Sequence, residues 1–193
     1  MRPSVSAAIS RTIQSSSFNA RVIDSAAGFI WENANALTAL IQDADAHVRR
    51  AAVSALAFSQ MRPAAETITR ALKDDDWMVR EMAAETLGLN VNGSLAADQL
   101  ISSLADEFWQ VRLKVIRSLG KMKIERAVRP IGNSINHDQA NLRKEAAAAL
   151  GEIAHPDGEA FLAVIADDAD PDVRKNARWA LQQIAARKAR AGA

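Results

Sequence analysis

The sequence predicts an all-α solenoid, a stack of helix pairs, and three observations support this prediction. Five arginines recur at steps of 31, 32, 31 and 31 residues, each directly after Val or Leu and seven residues before a leucine. A period of this length indicates structural repeats. Apolar residues within each repeat follow helical spacing, and the chain has no tyrosine and no sustained strand-like alternation. The five arginines are Arg49, Arg80, Arg112, Arg143 and Arg174.

The two helices of a repeat are clearest in residues 126–153. Apolar side chains recur at spacings of three and four on both sides of a polar break at 136–138, as on the buried face of a helix. Before the break they are Val128, Ile131 and Ile135, and after it they are Leu142, Ala146, Leu150 and Ile153. Each repeat is therefore predicted to hold a first helix, a short polar loop and a second helix that carries the arginine.

The loops contain residues that start helices. Asp74-Asp75-Asp76 precedes one second helix, and Asp170-Pro171 precedes another. An aspartate oxygen accepts hydrogen bonds from the free N–H groups of a first turn, and proline is tolerated there. Glycines that follow the repeat leucines, such as Gly120 and Gly151, allow a neighbouring backbone to come close.

The organisation predicted from this pattern is a single right-handed solenoid over 1–193, with about six helix pairs. Residues 1–31 fit the repeat poorly and are predicted to form a degenerate N-terminal cap, as a solenoid end requires. Five repeats cover about 33–185. Residues 186–193 are predicted to be a basic, solvated and fraying helix end.

Composition restricts the possible functions. Lys and Arg number 24 against 23 Asp and Glu, and this balance argues against a dedicated nucleic-acid binder, which usually has a basic excess. The absence of cysteine excludes disulfides and thiolate metal sites. No run approaches the ~18 apolar residues of a membrane helix, and the N-terminus lacks a signal-peptide core. A cytoplasmic protein without a membrane partner is expected.

The pattern D-x-x-x-x-V-R-x-x-A-x-x-x-L-G resembles HEAT repeats, in particular the short class named after phycobilisome lyases. One copy consists of Asp74, Val79, Arg80, Ala83, Leu87 and Gly88. The resemblance implies a right-handed α-α superhelix in which aspartates and arginines form a ladder between neighbouring repeats. The ladder aspartates are expected to be Asp43, Asp74, Asp106, Asp138 and Asp168.

The resemblance also implies that the second helices line a concave surface. Residues one and five positions after each arginine lie on that face and vary between repeats, either because they are specialised for a partner or because exposed positions drift. Trp77 and Trp109 share one repeat position, where they would bind a partner or fill the gap between helix ends. The candidate binding residues are Trp179, Arg117, Leu113, Glu85, Met82, Arg50, Lys144, Lys175, Trp77 and Trp109.

Catalytic and metal sites are not expected. His47, His137 and His155 fall in predicted loops, and no His-Glu pair of the kind used by HEAT-like di-iron hydroxylases is present. No His-x-x-x-His motif or glycine-rich phosphate loop is present either.

The predicted function is non-catalytic protein binding by an adaptor, scaffold or assembly factor that uses the concave face and needs no cofactor. A first alternative is a phycobilin-lyase-like factor or chaperone of cofactor attachment. A second is a HEAT-like nucleic-acid-binding or DNA repair module, for which the balanced charge is unfavourable.

Overall fold

The computed structural model describes residues 37–58, 62–89 and 93–192 of the 193-residue chain. All regular secondary structure in these ranges is helical, which confirms the all-α prediction there. The predicted N-terminal cap, 1–31, lies outside the described residues. These residues belong to two compact units, Met1–Asn92 and Gly93–Ala193. A single solenoid over the whole chain stays a prediction.

The first unit contains three described helices of more than one turn, α1 (Ala46–Ala55), α2 (Arg62–Ala71) and α3 (Trp77–Leu87). Helices α1 and α3 are the arginine-bearing second helices of successive repeats and pack side by side, while α2 packs on α3. The buried core includes Leu56 and Ile68, both with no solvent exposure. The leucines seven residues after the first four repeat arginines, Leu56, Leu87, Leu119 and Leu150, are core residues as their spacing predicted, whereas Leu181 of the last repeat is half-buried.

The second unit repeats this arrangement with shorter first helices. Its helices are α4 (Ala97–Ser102), α5 (Trp109–Lys121), α6 (Val128–Gly132), α7 (Ala140–Ile153), α8 (Glu159–Val164) and α9 (Pro171–Ala191). A turn of 3-10 helix precedes each of the short helices α4, α6 and α8, and another follows α4 and α6. The second helices α5, α7 and α9 pack in sequence, α5 on α7 and α7 on α9.

Aspartates start three of the second helices, as predicted. Asp76 Oδ1 accepts hydrogen bonds from the N–H groups of Met78 at 2.8 Å and Val79 at 3.3 Å. Asp45 and Asp170 cap α1 and α9 in the same way. Each cap satisfies N–H groups that have no partner within the helix.

Two glycines let the second helices of the second unit approach closely. A Cβ built at Gly120 would lie 2.8 Å from Ala149 Cα, and one at Gly151 would lie 2.8 Å from Ala180 Cα. Both obstructing atoms belong to the backbone, so no side-chain rotation could make room. The small residues therefore fix the distance between α5 and α7 and between α7 and α9.

The C-terminal end of α9 is exposed, as predicted, and its first residues make contacts with the preceding repeat. Arg187 Nη1 donates to the carbonyl oxygen of Ile153 at 3.0 Å. Lys188 Nζ lies 2.7 Å from the Glu159 carboxylate. These contacts add support that the basic composition alone did not indicate. Within the described ranges, no helix combines the length and apolar character needed to cross a membrane.

Replacing Gly120 by alanine should destabilise the protein by about 1–3 kcal/mol, because the added methyl group collides with the backbone of α7. This loss exceeds the roughly 1 kcal/mol that alanine contributes to helix formation. The free energy of unfolding measured in urea checks it. Gly192→Ala is the control, since its Cβ would meet only Lys188 O at 3.7 Å. Equal stability of Gly120→Ala and wild type would contradict the close packing.

Candidate binding surface

The ladder arginines bind the loop of the next repeat. Arg49 donates from Nε and Nη2 to the two carboxylate oxygens of Asp74, at 2.8 and 2.7 Å. Arg143 donates in the same way to Asp168, at 2.7 and 2.8 Å. The side chains of both pairs are at most 16% exposed. The predicted link between neighbouring repeats is therefore present in each unit, as a bidentate, charge-assisted pair.

Each of these arginines also binds its own loop. Arg143 Nη1 donates to the carbonyl oxygens of His137 and Asp138, at 2.8 and 3.0 Å. Arg49, Arg80 and Arg174 bond the equivalent carbonyls, six and five residues before themselves. Arg49 and Arg143 thus each bond their own loop through Nη1 and the loop of the next repeat through Nε and Nη2.

Asp74 and Asp168, the carboxylates of these two pairs, have lowered pKa values. The hydrogen bond from Arg143 is the main cause at Asp168, where it outweighs the opposing effect of burial. Burial is the largest influence on the pKa of Asp74 and raises it, but hydrogen bonds from Arg49 and from the Asp76 N–H leave the net shift downward. The same pairing raises the pKa values of Arg49 and Arg143. Both pairs are therefore ionised at neutral pH.

One ladder position was predicted wrongly. The ladder residue stands six positions before each arginine, and in the fourth repeat this residue is His137 rather than Asp138. His137 Nδ1 accepts from the Gln139 N–H at 3.0 Å, as Asp168 Oδ1 accepts from the Asp170 N–H at 2.9 Å. Asp138 is exposed and contributes its carbonyl oxygen to Arg143 instead. His137 does lie in a loop, as predicted, but it is half-buried there.

Histidine serves this position less well than aspartate. Arg112 Nη2 lies 2.7 Å from His137 Nε2, while Nδ1 faces the Gln139 N–H. A neutral imidazole has one acceptor nitrogen, so it cannot accept from both groups, and an imidazolium accepts from neither. Arg112 Nε is buried without a hydrogen-bond partner. Among the described residues, no other buried side-chain nitrogen or oxygen lacks a partner. This link lacks the second oxygen that a carboxylate would provide.

The outward face of the second helices carries the predicted binding residues. They are half-buried or exposed, so none belongs to the core. In the first unit Arg50, Glu85 and Met82 are half-buried; in the second unit Leu113, Arg117 and Lys144 are half-buried, while Lys175 and Trp179 are exposed. Trp77 and Trp109 are half-buried at the starts of α3 and α5. These two belong to different units, and their proximity stays a prediction.

Part of this face is already neutralised within the chain. Arg117 donates from Nε and Nη2 to the Glu145 carboxylate at 2.9 and 2.7 Å, which joins α5 to α7. Lys144 Nζ lies 3.9 Å from Asp172, and Asn176 donates to the Lys144 carbonyl oxygen at 3.2 Å. Arg117 and Lys144 are therefore less available to a partner than their sequence positions suggest.

Trp179 is the exposed tryptophan among these candidate binding residues. It is 39% exposed although it is a tryptophan in a well-packed helix. Its ring lies over the preceding second helix, where a Cβ built at Gly151 would collide with Trp179 Cζ3. Because Gly151 has no side chain, the ring can pack against the backbone at that position. The ring remains partly exposed to solvent.

A groove of about 720 Å³ lies beside Trp179. The repeat pattern did not indicate this groove, because all of its lining residues except Trp179 follow the repeat arginines by more than five positions. Burial, with a contribution from Glu145, raises the pKa of the Glu152 carboxyl in this groove. Its lining residues are Lys121, Lys123, Glu125, Gly151, Glu152, Ile153, Ala154, Trp179, Gln183, Ala186, Arg187 and Arg190.

Metal-binding geometry is absent from the part of the chain that the structure describes. No three side chains of the His, Asp or Glu types converge there as an ion would require. His155 lies at the start of a 3-10 turn, where its Nδ1 accepts from the Asp157 N–H at 3.2 Å. His47 is exposed in the first turn of α1 rather than in a loop.

The repeat geometry agrees with the family comparison. The model of HEAT repeats matches residues 34–103 and 97–182, which is most of the chain. The chain belongs to the HEAT-repeat family. The resemblance seen in the sequence is therefore confirmed. No curated protein sequence matches the chain significantly.

Solved structures show the same solenoid fold. An engineered protein aligns with a TM-score of 0.66 at 20% identity, over 86% of this chain and 88% of that one. A designed armadillo repeat protein in complex with the peptide (KR)4 has a TM-score of 0.64 at 19% identity, over 85% and 90%. The complex of CpcE and CpcF of the phycocyanin lyase from Nostoc sp. PCC7120 has a TM-score of 0.58 at 23% identity, over 90% and 74%. At these identities the similarity establishes the HEAT-like, armadillo-like fold alone.

The ladder should make stability depend on acid pH. The pKa of Asp168 is lower in the folded than in the unfolded state, so its stabilisation is present above its unfolded pKa of about 3.9 and is lost as pH falls through the folded value. Asp168→Asn should lower the free energy of unfolding at pH 7 by about 2 kcal/mol. The difference from wild type should shrink towards pH 2.

Asp98→Asn is the matched control for this experiment. Asp98 also pairs with an arginine, Arg126 at 2.9 Å, but its side chain is 78% exposed. Its loss should cost less than about 1 kcal/mol. Unfolding in urea followed by circular dichroism at several pH values measures both variants. If Asp168→Asn paralleled Asp98→Asn at every pH, the ladder would contribute no more than a surface pair.

Aspartate at position 137 should complete the defective HEAT-repeat link. The carboxylate of His137→Asp can accept from both Arg112 Nε and Nη2, so we expect the free energy of unfolding to rise by about 1–2 kcal/mol. His137→Asn is the control, because its amide oxygen can accept the Gln139 N–H without adding charge. Urea unfolding at pH 7 compares the three proteins. A His137→Asp protein no more stable than His137→Asn would refute this interpretation of the ladder.

Proposed function

We propose that this HEAT-repeat protein is a non-catalytic binding module, an adaptor or assembly factor that holds another protein on the outward face of its second helices, which is the face expected to be concave. The observation that supports this most is Trp179, a fixed aromatic side chain left 39% exposed. Tryptophan is enriched among the residues that dominate binding energy. A partner that covered the ring would remove apolar surface from water.

Within each repeat, the residues that hold the fold are different from the residues on the outward face, and this difference supports the same proposal. The arginine, its loop carbonyls and the leucine seven residues later are alike from repeat to repeat, since they hold the fold. The outward positions differ: the site of Trp179 is occupied by Arg117 and Ala148 in the two preceding repeats. A stack of repeats offers an extended and rigid surface, so little ordering entropy is lost on binding. A similar designed solenoid is known in complex with a peptide.

Nucleic-acid binding is the weaker alternative. Two of the basic residues that would support it, Arg117 and Lys144, face the carboxylates of Glu145 and Asp172. Backbone phosphate contacts make DNA affinity fall steeply with salt. Titration of a labelled DNA duplex at roughly 50 and 200 mM salt tests this alternative, and we expect no binding at either concentration. The proposal includes a cytoplasmic location, in keeping with a chain without cysteine.

A chromophore-handling role is the second alternative, because Trp179 and the cations beside it could contact a flat, anionic tetrapyrrole. The similarity to the CpcE and CpcF complex lies in the fold and does not carry that role to this chain. Titration with biliverdin, followed by its absorption spectrum, tests this alternative. We expect an unchanged spectrum.

Truncation of Trp179 should separate binding from folding. Proteins captured from the source organism by the tagged chain would be purified, and their dissociation constants measured with wild type, Trp179→Ala and Val164→Ala. We expect Trp179→Ala to weaken binding at least tenfold, or about 1.4 kcal/mol. Val164 is the matched control, since it is 64% exposed on a first helix, and its truncation should change affinity less than twofold. Equal binding by wild type and Trp179→Ala would reject this surface.

A further inference from the structure

The groove beside Trp179 has an excess of positive charge. Four cations and two carboxylates line it. Arg187 is already engaged, because its Nη2 lies 2.5 Å from Glu125 Oε1 and its Nη1 bonds the carbonyl oxygen of Ile153. This pair leaves three cations, Lys121, Lys123 and Arg190, against the single carboxylate of Glu152.

The side chains of these three cations form no hydrogen bond and no ion pair with any other residue that the structure describes. Lys121 and Lys123 influence Glu152 only through longer-range attraction. Unpaired cations around a partly exposed aromatic ring attract an anion that also has an apolar part.

The spacing of residues along α9 sets the length of the ligand. Trp179, Gln183, Ala186 and Arg190 follow one another at intervals of three and four, so they share one face of the helix. Arg190 lies eleven positions after Trp179, which is about 16 Å along the helix at its rise per residue. An extended peptide covers this distance with about five residues. Gln183, between the two ends, offers amide groups of the kind that bond a peptide backbone.

We infer that the groove formed by α5, α7 and α9 binds an acidic, extended peptide segment of a partner protein, with an apolar side chain on Trp179 and carboxylates against Lys121 and Arg190. This inference rests on the proposed function and specifies the chemistry of the partner. It requires the partner to carry negative charge within about five residues of an apolar side chain, the reach of an extended segment along α9.

Fluorescence anisotropy with three labelled ten-residue peptides tests the inference. The first carries Leu beside four Asp and Glu residues, the second replaces Leu by Ser, and the third replaces the acids by Lys. We expect the first to bind at least tenfold more tightly than the second, and the third not to bind. Raising the salt concentration should weaken the first peptide's binding, since the contacts to the cations are screened.

Protein variants locate the binding. Lys121→Glu and Arg190→Glu should each weaken the acidic peptide at least fivefold, and Trp179→Ala at least tenfold, whereas Trp179→Phe should lose less than threefold. Lys73→Glu is the matched control, because Lys73 is an exposed lysine of the first unit, outside the groove. It should leave affinity unchanged. Far-ultraviolet circular dichroism and urea unfolding would establish that each variant is folded.

The outcomes distinguish this inference from the proposed function. If no acidic peptide bound at millimolar concentration while a captured partner still depended on Trp179, the proposed function would stand and the inference would be overturned. Equal binding of the acidic and lysine peptides would also overturn it, as would binding of biliverdin at Trp179 without binding of the acidic peptide. If neither peptides nor captured partners responded to Trp179→Ala, both proposals would fail.

Discussion

The rest of this structure depends on one interaction, the set of hydrogen bonds by which an arginine guanidinium group joins two consecutive loops. Arg143 holds the carbonyl groups of its own loop and both carboxylate oxygens of Asp168 in the next. Arg49 and Asp74 form the same link in the first unit. Because the geometry is bidentate, it fixes the offset between successive second helices as well as their attraction. Buried ion pairs often specify an arrangement more than they stabilise it.

Fixed offsets explain how a functional surface arises between repeats. Gly120 and Gly151 can face the backbones of Ala149 and Ala180 only if successive helices keep one register. The same register places Trp179 over Gly151. The groove beside the ring then combines residues from three repeats. A repeat framework that tolerates change at its outward positions can therefore build a binding site without altering its core.

The sequence predicted the fold because the ladder and the core follow one period. It indicated Trp179 as a candidate binding residue because that position departs from its equivalents, and this role stays a prediction. The prediction of the ladder residue in the fourth repeat was wrong because it took the nearest acidic residue before the arginine. The position six residues before each arginine is constant, and in this repeat it is His137. The groove was missed because Lys121 and Arg190 stand at repeat positions where cations do not recur. Only the packing of α9 against the preceding helix ends brings them together.

A double-mutant cycle across Arg143 and Asp168 tests the ladder most directly. The free energy of unfolding would be measured for wild type, Arg143→Gln, Asp168→Asn and the double variant, alongside the same cycle for the exposed pair Arg126 and Asp98. The account predicts a coupling energy of about 1–3 kcal/mol for the ladder pair, above the roughly 0.2–1 kcal/mol expected of an exposed pair. A ladder coupling no larger than that of the exposed pair would contradict it.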